Sequence, residues 1–173
     1  MSPRYPLIFN PSARSQRGRR TLRFLMTHAQ SFVLYASRSA EDAKELAAKL
    51  AAEGEPIVVA AGGDGTLNAV VQGLTGTSTA LGVLPAGTMN VFARELGLPH
   101  NSLRKSLEVL EAGHIKEVDL FEANGNPFMQ MAGIGFDAKV VKHYEISGKR
   151  KLSSYLKASL KSLKEYKYEN IFE

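Results

Sequence analysis

Short apolar runs alternate with helical stripes along most of the chain. Tyr5-Pro6-Leu7-Ile8-Phe9, Ser31-Phe32-Val33-Leu34-Tyr35, Pro56-Ile57-Val58-Val59-Ala60-Ala61 and Ala80-Leu81-Gly82-Val83-Leu84 are nearly continuous in apolar residues. Strands buried on both faces have that character. Between the runs lie Leu22, Leu25, Met26 and Ala29, then Ala43, Leu46, Ala47 and Leu50, then Leu67, Val70, Val71 and Leu74. Spacings of three and four residues put each set on one helix face. Glu41 and Asp42 sit in the first turn of the second helix, and Gly54 lies just past its end. The order βαβαβαβα predicts an α/β fold, a doubly wound parallel sheet covered by helices on both faces.

A helix over about Ser102–Ala112 follows, with Leu103, Leu107 and Leu110 inward and Gly113 after its end. The pattern then changes. Ile115–Ala123 and Pro127–Ala132 read as two strands around Asn124-Gly125-Asn126, a hairpin signal. An antiparallel element after a parallel sheet suggests two domains, 1–113 and 114–173. Gly133-Ile134-Gly135-Phe136-Asp137-Ala138 opens a helical stretch, Leu152, Leu156, Leu160 and Leu163 mark a last amphipathic helix, and Phe172-Glu173 reads as the start of another strand.

Composition narrows the chemistry. The chain has 173 residues and 44% hydrophobic content, enough for a core, and no cysteine. Thiolate nucleophiles, disulfides and cysteine metal sites are therefore excluded, and a cytoplasmic setting is expected. No run approaches the length of a membrane span. The net charge of +5 is clustered. Five arginines and no acid lie between Arg14 and Arg23, and eight Lys/Arg lie between Lys142 and Lys167 against Glu145 and Glu165. Such clusters suit phosphates or an anionic membrane surface. Contact with the inner face of a membrane through Lys149, Arg150, Lys151, Lys157, Lys161 and Lys164 is one expectation, and a solvated basic face is the other.

Gly62-Gly63-Asp64-Gly65-Thr66 joins the end of a strand to the start of a helix. Backbone N–H groups and the helix dipole favour an anion there, and glycine lets a phosphate touch the backbone. Asp64 adds a carboxylate beside it, where Mg²⁺ could bridge to the phosphate. The same residues also suit a tight turn with Asp64 as a helix cap. Two further turns, at Asn10-Pro11-Ser12-Ala13-Arg14 and Pro85-Ala86-Gly87-Thr88-Met89-Asn90, end strands of the same sheet. Ligands bind such sheets outside the carboxyl ends of the strands, so the three turns are expected to converge on one crevice.

Asn10-Pro11, GGDGTLNAVVQGL (62–74), GVLPAGTMNVFARELGLP (82–99) and GIGFDAKVV (133–141) resemble, in order and spacing, the diacylglycerol kinase catalytic-domain family. That family includes bacterial diacylglycerol kinases, YegS-like lipid kinases and relatives of sphingosine kinase. GGDGT is shared with NAD kinases, and the continuation from Gly87 through Arg94 points to the lipid-kinase branch. The resemblance implies an N-terminal α/β domain similar to NAD kinase and phosphofructokinase, followed by the start of a β-sandwich. It implies ATP and Mg²⁺ as cofactors, with Asn10, Gly62, Gly63, Asp64, Gly65, Thr66, Gly87, Thr88 and Asn90 at the nucleotide and Asp64 at the metal. It implies catalytic roles for Asp64 and for Asp119, which resembles the family's aspartate at the start of the second domain.

Two departures accompany it. Arg14 stands where many members have glycine. The Asp-Gly-Glu-like motif whose aspartate deprotonates the substrate hydroxyl in the family is not in this sequence, which is a little over half the usual length. The expectation is γ-phosphate transfer from ATP to diacylglycerol or a related lipid alcohol at a membrane surface. Nucleic acid is not an expected partner. The chain alone is expected to bind nucleotide with little turnover and to pair its open strand edges with another copy or chain. The alternatives are a soluble-metabolite kinase like NAD kinase and a non-catalytic nucleotide- or membrane-binding remnant.

Overall fold

Each of the first four apolar runs becomes a strand in a computed structural model of the chain, which describes residues 4–11, 16–130, 132–146 and 152–165. The order is β1 (Tyr5–Phe9), α1 (Gln16–Thr27), β2 (Phe32–Ala36), α2 (Ala40–Ala52), β3 (Ile57–Gly62), α3 (Asp64–Leu74) and β4 (Ala80–Pro85). Helices α4 (Val91–Glu95) and α5 (Leu103–Glu111) follow. The four strands pair in parallel, in the order β2-β1-β3-β4.

Successive side chains on a strand face opposite ways, and here both faces are covered. Ile8, Val58 and Ala60 pack with Ala43, Ala47 and Leu50 of α2 and Leu67 and Val70 of α3. Leu7, Val59, Ala61 and Leu84 pack on the other face with Leu25 of α1 and Leu107 of α5. Burying one such aliphatic side chain is worth about 1.5–3 kcal/mol. Helix α2 starts where Ser39 Oγ accepts from Asp42 N–H (3.0 Å), while Asp42 Oδ2 accepts from Arg38 N–H (2.7 Å). Helix α1 stops at Thr27, short of Ala29, because the chain turns into β2 with Ser31 N–H donating to His28 O (2.9 Å).

The chain divides into two compact units, 1–130 and 131–173, so the first unit continues well past residue 113. The cause is a polar row on α3. Gln72 Nε2 donates to Pro127 O (3.0 Å), and Asn68 Oδ1 accepts from Met129 N–H (3.1 Å). Met129 is buried in the α2–α3 core. These bonds hold the hairpin β5 (Phe121–Ala123) and β6 (Asn126–Phe128), which turns at Asn124 and Gly125, both at positive φ (52° and 75°). Strand pairing here is shorter than expected. Residues 115–120, expected to belong to a strand, find no partner strand among the described residues, and every residue from 111 to 126 is exposed. Beyond residue 113, the described strands are this hairpin alone.

The second unit contains α6 (Phe136–Ile146) and α7 (Leu152–Glu165). Its leucine stripe does not form the seam, since Leu156, Leu160 and Leu163 are 62%, 56% and 66% exposed. Small residues, Ala158 and Ser162, are buried instead. Ser162 Oγ lies 2.8 Å from His143 Nδ1, and Glu165 Oε2 lies 3.3 Å from His143 Nε2. Arg14, Lys149, Arg150, Lys151, Phe172 and Glu173 lie outside the described residues. Among the described residues, no helix is long and apolar enough to cross a membrane.

Helices α2 and α3 touch at Gly73, where a Cβ would run into the Lys44 carbonyl oxygen and lie 2.8 Å from Ala47 Cβ. Gly73→Ala should therefore lower the unfolding free energy by about 1–3 kcal/mol through overpacking. Urea denaturation checks this, and an unchanged midpoint would mean the two helices part at no cost.

Candidate functional site

From β1 the chain crosses to β2 on one side and later returns to β3 on the other. The carboxyl ends of β1 and β3 therefore flank the switch point where a crevice forms in such sheets. Asn10 follows β1 there, half-buried. Gly62 ends β3 opposite Pro85 of β4, and Ala86 N–H donates to Gly62 O (2.8 Å). The turns after β1, β3 and β4 thus share one end of the sheet, as the sequence pattern predicts.

The two glycine turns meet backbone to backbone. A Cβ on Gly63 would lie 3.2 Å from Gly87 Cα, and a Cβ on Gly87 would overlap Gly63 Cα. Gly62 carries the Thr66 side chain against it, with Thr66 Cβ only 2.5 Å from where a Cβ would stand. Gly65 differs, because a Cβ there would meet nothing within 4 Å. Packing demands glycine at 62 and 87 and leaves a Cβ at 63 crowded. At 65 it leaves exposed backbone at the start of α3, where the helix dipole is positive and no side chain caps the helix.

Asn90 secures the second turn. It sits in the left-handed region (φ 48°, ψ 51°) and is 4% exposed. Its Oδ1 accepts from Gly87 N–H (2.8 Å), and its Nδ2 donates to His100 O (3.2 Å). The amide expected to face a ligand is thus engaged within the protein, while Thr88 is exposed.

Asp64 is the first residue of α3 but caps a different helix. Its Oδ1 accepts from Phe92 N–H (3.1 Å) in the first turn of α4 and from Gln130 Nε2 (3.0 Å). Neither bond falls on Oδ2. One carboxylate therefore ties together the first glycine turn, α4 and the end of the hairpin segment.

Asp119 is placed elsewhere. It is exposed and lines a hollow with residues Thr75 to Leu81, at the start of β4. A strand of six residues such as β4 spans about 20 Å, so Asp119 lies at the opposite end of the sheet from the glycine turns. Among the described residues, no group of three or more His, Asp or Glu side chains is placed to hold a metal.

Gln130, Asn68 and Phe92 are site neighbours that the sequence reading passed over. A signal existed for the helix positions. Asp64, Asn68 and Gln72 recur every four residues on the side of α3 away from Leu67, Val70 and Leu74. Nothing local marks Gln130, whose partner lies 66 positions away.

Comparison with known proteins agrees with this architecture. The profile of the diacylglycerol kinase catalytic domain matches residues 4–123. A diacylglycerol kinase of Bacillus subtilis is 36% identical over 130 residues, 71% of this chain and 42% of that protein. One from Staphylococcus saprophyticus is 32% identical over 141 residues, 78% of this chain and 46% of that protein. A crystal structure of a diacylglycerol kinase from Bacillus anthracis superposes with a TM-score of 0.64 at 25% identity, covering 90% of this chain and 55% of that one. The chain thus spans about half the length of the relatives it matches.

The glycines should separate by role. Gly87→Ala should cost about 1–3 kcal/mol of stability, because its Cβ meets Gly63 and lies 2.7 Å from Asn90 Oδ1. Gly65→Ala should leave stability unchanged or raise it, since glycine inside a helix is unfavourable relative to alanine. Guanidinium denaturation of both variants tests the contrast, and equal losses would contradict it.

Proposed function

The chain belongs to the diacylglycerol kinase catalytic-domain family, and from that premise we propose that it is the nucleotide-binding part of an ATP-dependent lipid kinase. The acceptor in this reading is the hydroxyl of diacylglycerol or a related lipid alcohol. One observation supports it above the rest. Two glycine turns are in backbone contact at the carboxyl ends of β3 and β4, with the Asp64 carboxylate and the open backbone of Gly65 at their edge.

The residues present fit a Mg²⁺–triphosphate. Mg²⁺ is usually held by one or two carboxylates together with substrate phosphates and waters, and Asp64 supplies one carboxylate beside an uncapped helix start. When bound, the cation would neutralise charge on the transferring phosphoryl group. The chain's own residues position the nucleotide. The N–H groups at the start of α3 hold phosphate oxygens. Thr66 backs Gly62, Asn90 braces the second turn by accepting from the Gly87 N–H, and Asn10 and Thr88 border the crevice. Phosphoryl transfer depends mostly on such positioning and charge stabilisation. Asp119, at the other end of β4, is given no step. The exposed Lys157, Lys161 and Lys164 of α7 suit contact with an anionic lipid surface, each worth about 1 kcal/mol near it.

Calorimetry should show Mg²⁺-dependent ATP binding by this chain. Gly65→Ala, whose Cβ would stand in the open space where a phosphate approaches the backbone, should weaken that binding about tenfold without lowering the melting temperature. Equal affinities would move the phosphates away from α3. The acceptor class is tested by offering diacylglycerol micelles and NAD⁺ together with γ-labelled ATP. Little label should be transferred by this chain alone, what is transferred should enter the lipid, and label in NAD⁺ alone would overturn the lipid reading.

A further inference from the structure

We propose that Gln130 is a positioning residue for the Asp64 carboxylate, setting it for its metal and phosphate role, an inference that rests on the reading of Asp64 given above.

Gln130 adopts φ 82°. The other described non-glycine residues at positive φ, Asn90 and Asn124, are of a type that tolerates it. Glutamine is not, and such a conformation persists only where the surroundings impose it. They do so here through the preceding residue and through the side chain itself. The preceding residue, Met129, is buried, and its N–H is held by Asn68 Oδ1 at 3.1 Å. The Gln130 side chain then reaches back to Asp64, where Nε2 donates to Oδ1 at 3.0 Å. An ionised carboxylate only accepts, so the amide must present its NH₂.

The chemistry of the donor matters as much as its place. Phe92 N–H and Gln130 Nε2 both bond Oδ1, which fixes the rotation of the carboxylate and directs its remaining acceptor capacity to Oδ2. Both donors are neutral. A lysine or arginine at position 130 would orient Asp64 equally well but would cancel the charge that attracts a cation. An amide orients without neutralising, as partners of metal-binding carboxylates commonly do.

The test is calorimetric titration of ATP into the full chain, with Mg²⁺ and with chelator, for the parent, Asp64→Asn and Gln130→Gly. The glycine variant removes the amide and accommodates the positive φ. Gln130→Asn shortens the reach in a residue suited to that backbone, and it serves for the same measurement if the glycine variant is unstable. Expected for Gln130→Gly is a fall of about tenfold in the affinity gained from Mg²⁺, with chelator-state affinity and circular dichroism unchanged. If Asp64→Asn removes the Mg²⁺ gain and the Gln130 variants keep it, the proposal fails while the Asp64 reading stands. If Asp64→Asn keeps the gain as well, the Asp64 reading fails and takes the proposal with it. Equal losses with and without Mg²⁺ would make Gln130 architectural and overturn the positioning role.

Discussion

The contact between Gly63 and Gly87 is what the site end of the sheet depends on. Two strand-to-helix turns approach until their backbones touch, so that a Cβ on Gly87 would overlap Gly63 and one on Gly63 would crowd Gly87. This closeness brings the start of α3 beside the turn that leads into α4. It also lets a side chain from the first turn cap the helix of the second. Parallel pairing of β3 with β4 makes the approach possible, because it puts both carboxyl ends on the same side.

Asp64 converts that proximity into connectivity. A carboxylate at the first residue of a helix ordinarily serves its own helix. Here it serves α4 and Gln130, and α3 is left without a side-chain cap. The local choice looks unfavourable for α3 alone. A helix start that binds an anion provides a reason for it, since a side-chain cap would occupy the same N–H groups. The orientation of α4 and the metal and phosphate role proposed for the turn therefore share one side chain.

The α/β layer was legible because its signals are local. Strands buried on both faces read as unbroken apolar runs, and glycines at strand ends mark turns whatever lies beyond them. The parts that were not legible depend on distant partners. Ile115 to Leu120 read as part of a strand ahead of a hairpin turn, yet that local reading supplies no neighbour to pair with. The spacing of Leu156, Leu160 and Leu163 is helical, but spacing does not say which face meets α6, and the small Ala158 and Ser162 allow the closer seam. Asp119 matched a family position by its local context, and the path of residues 114–120 sets it by the start of β4. Asn90 was placed at the nucleotide by the family resemblance. Its use as an internal brace required knowing that the His100 carbonyl lies next to it.

The hold of α3 on the hairpin has an evolutionary corollary. Gln72 and Asn68 bond to Pro127 O and Met129 N–H, which are main-chain groups. Any residue at 127 offers the same carbonyl, and nearly any residue at 129 offers the same N–H. Drift along the hairpin therefore leaves these bonds intact, while a change at 68 or 72 removes one outright. Across homologous sequences the constraint should register on one side only, as restricted choice at the helix positions with no matched substitutions opposite. Pairwise covariation would pass over a contact of this kind, whereas the pair 64 and 130, joined side chain to side chain, would leave a correlated trace.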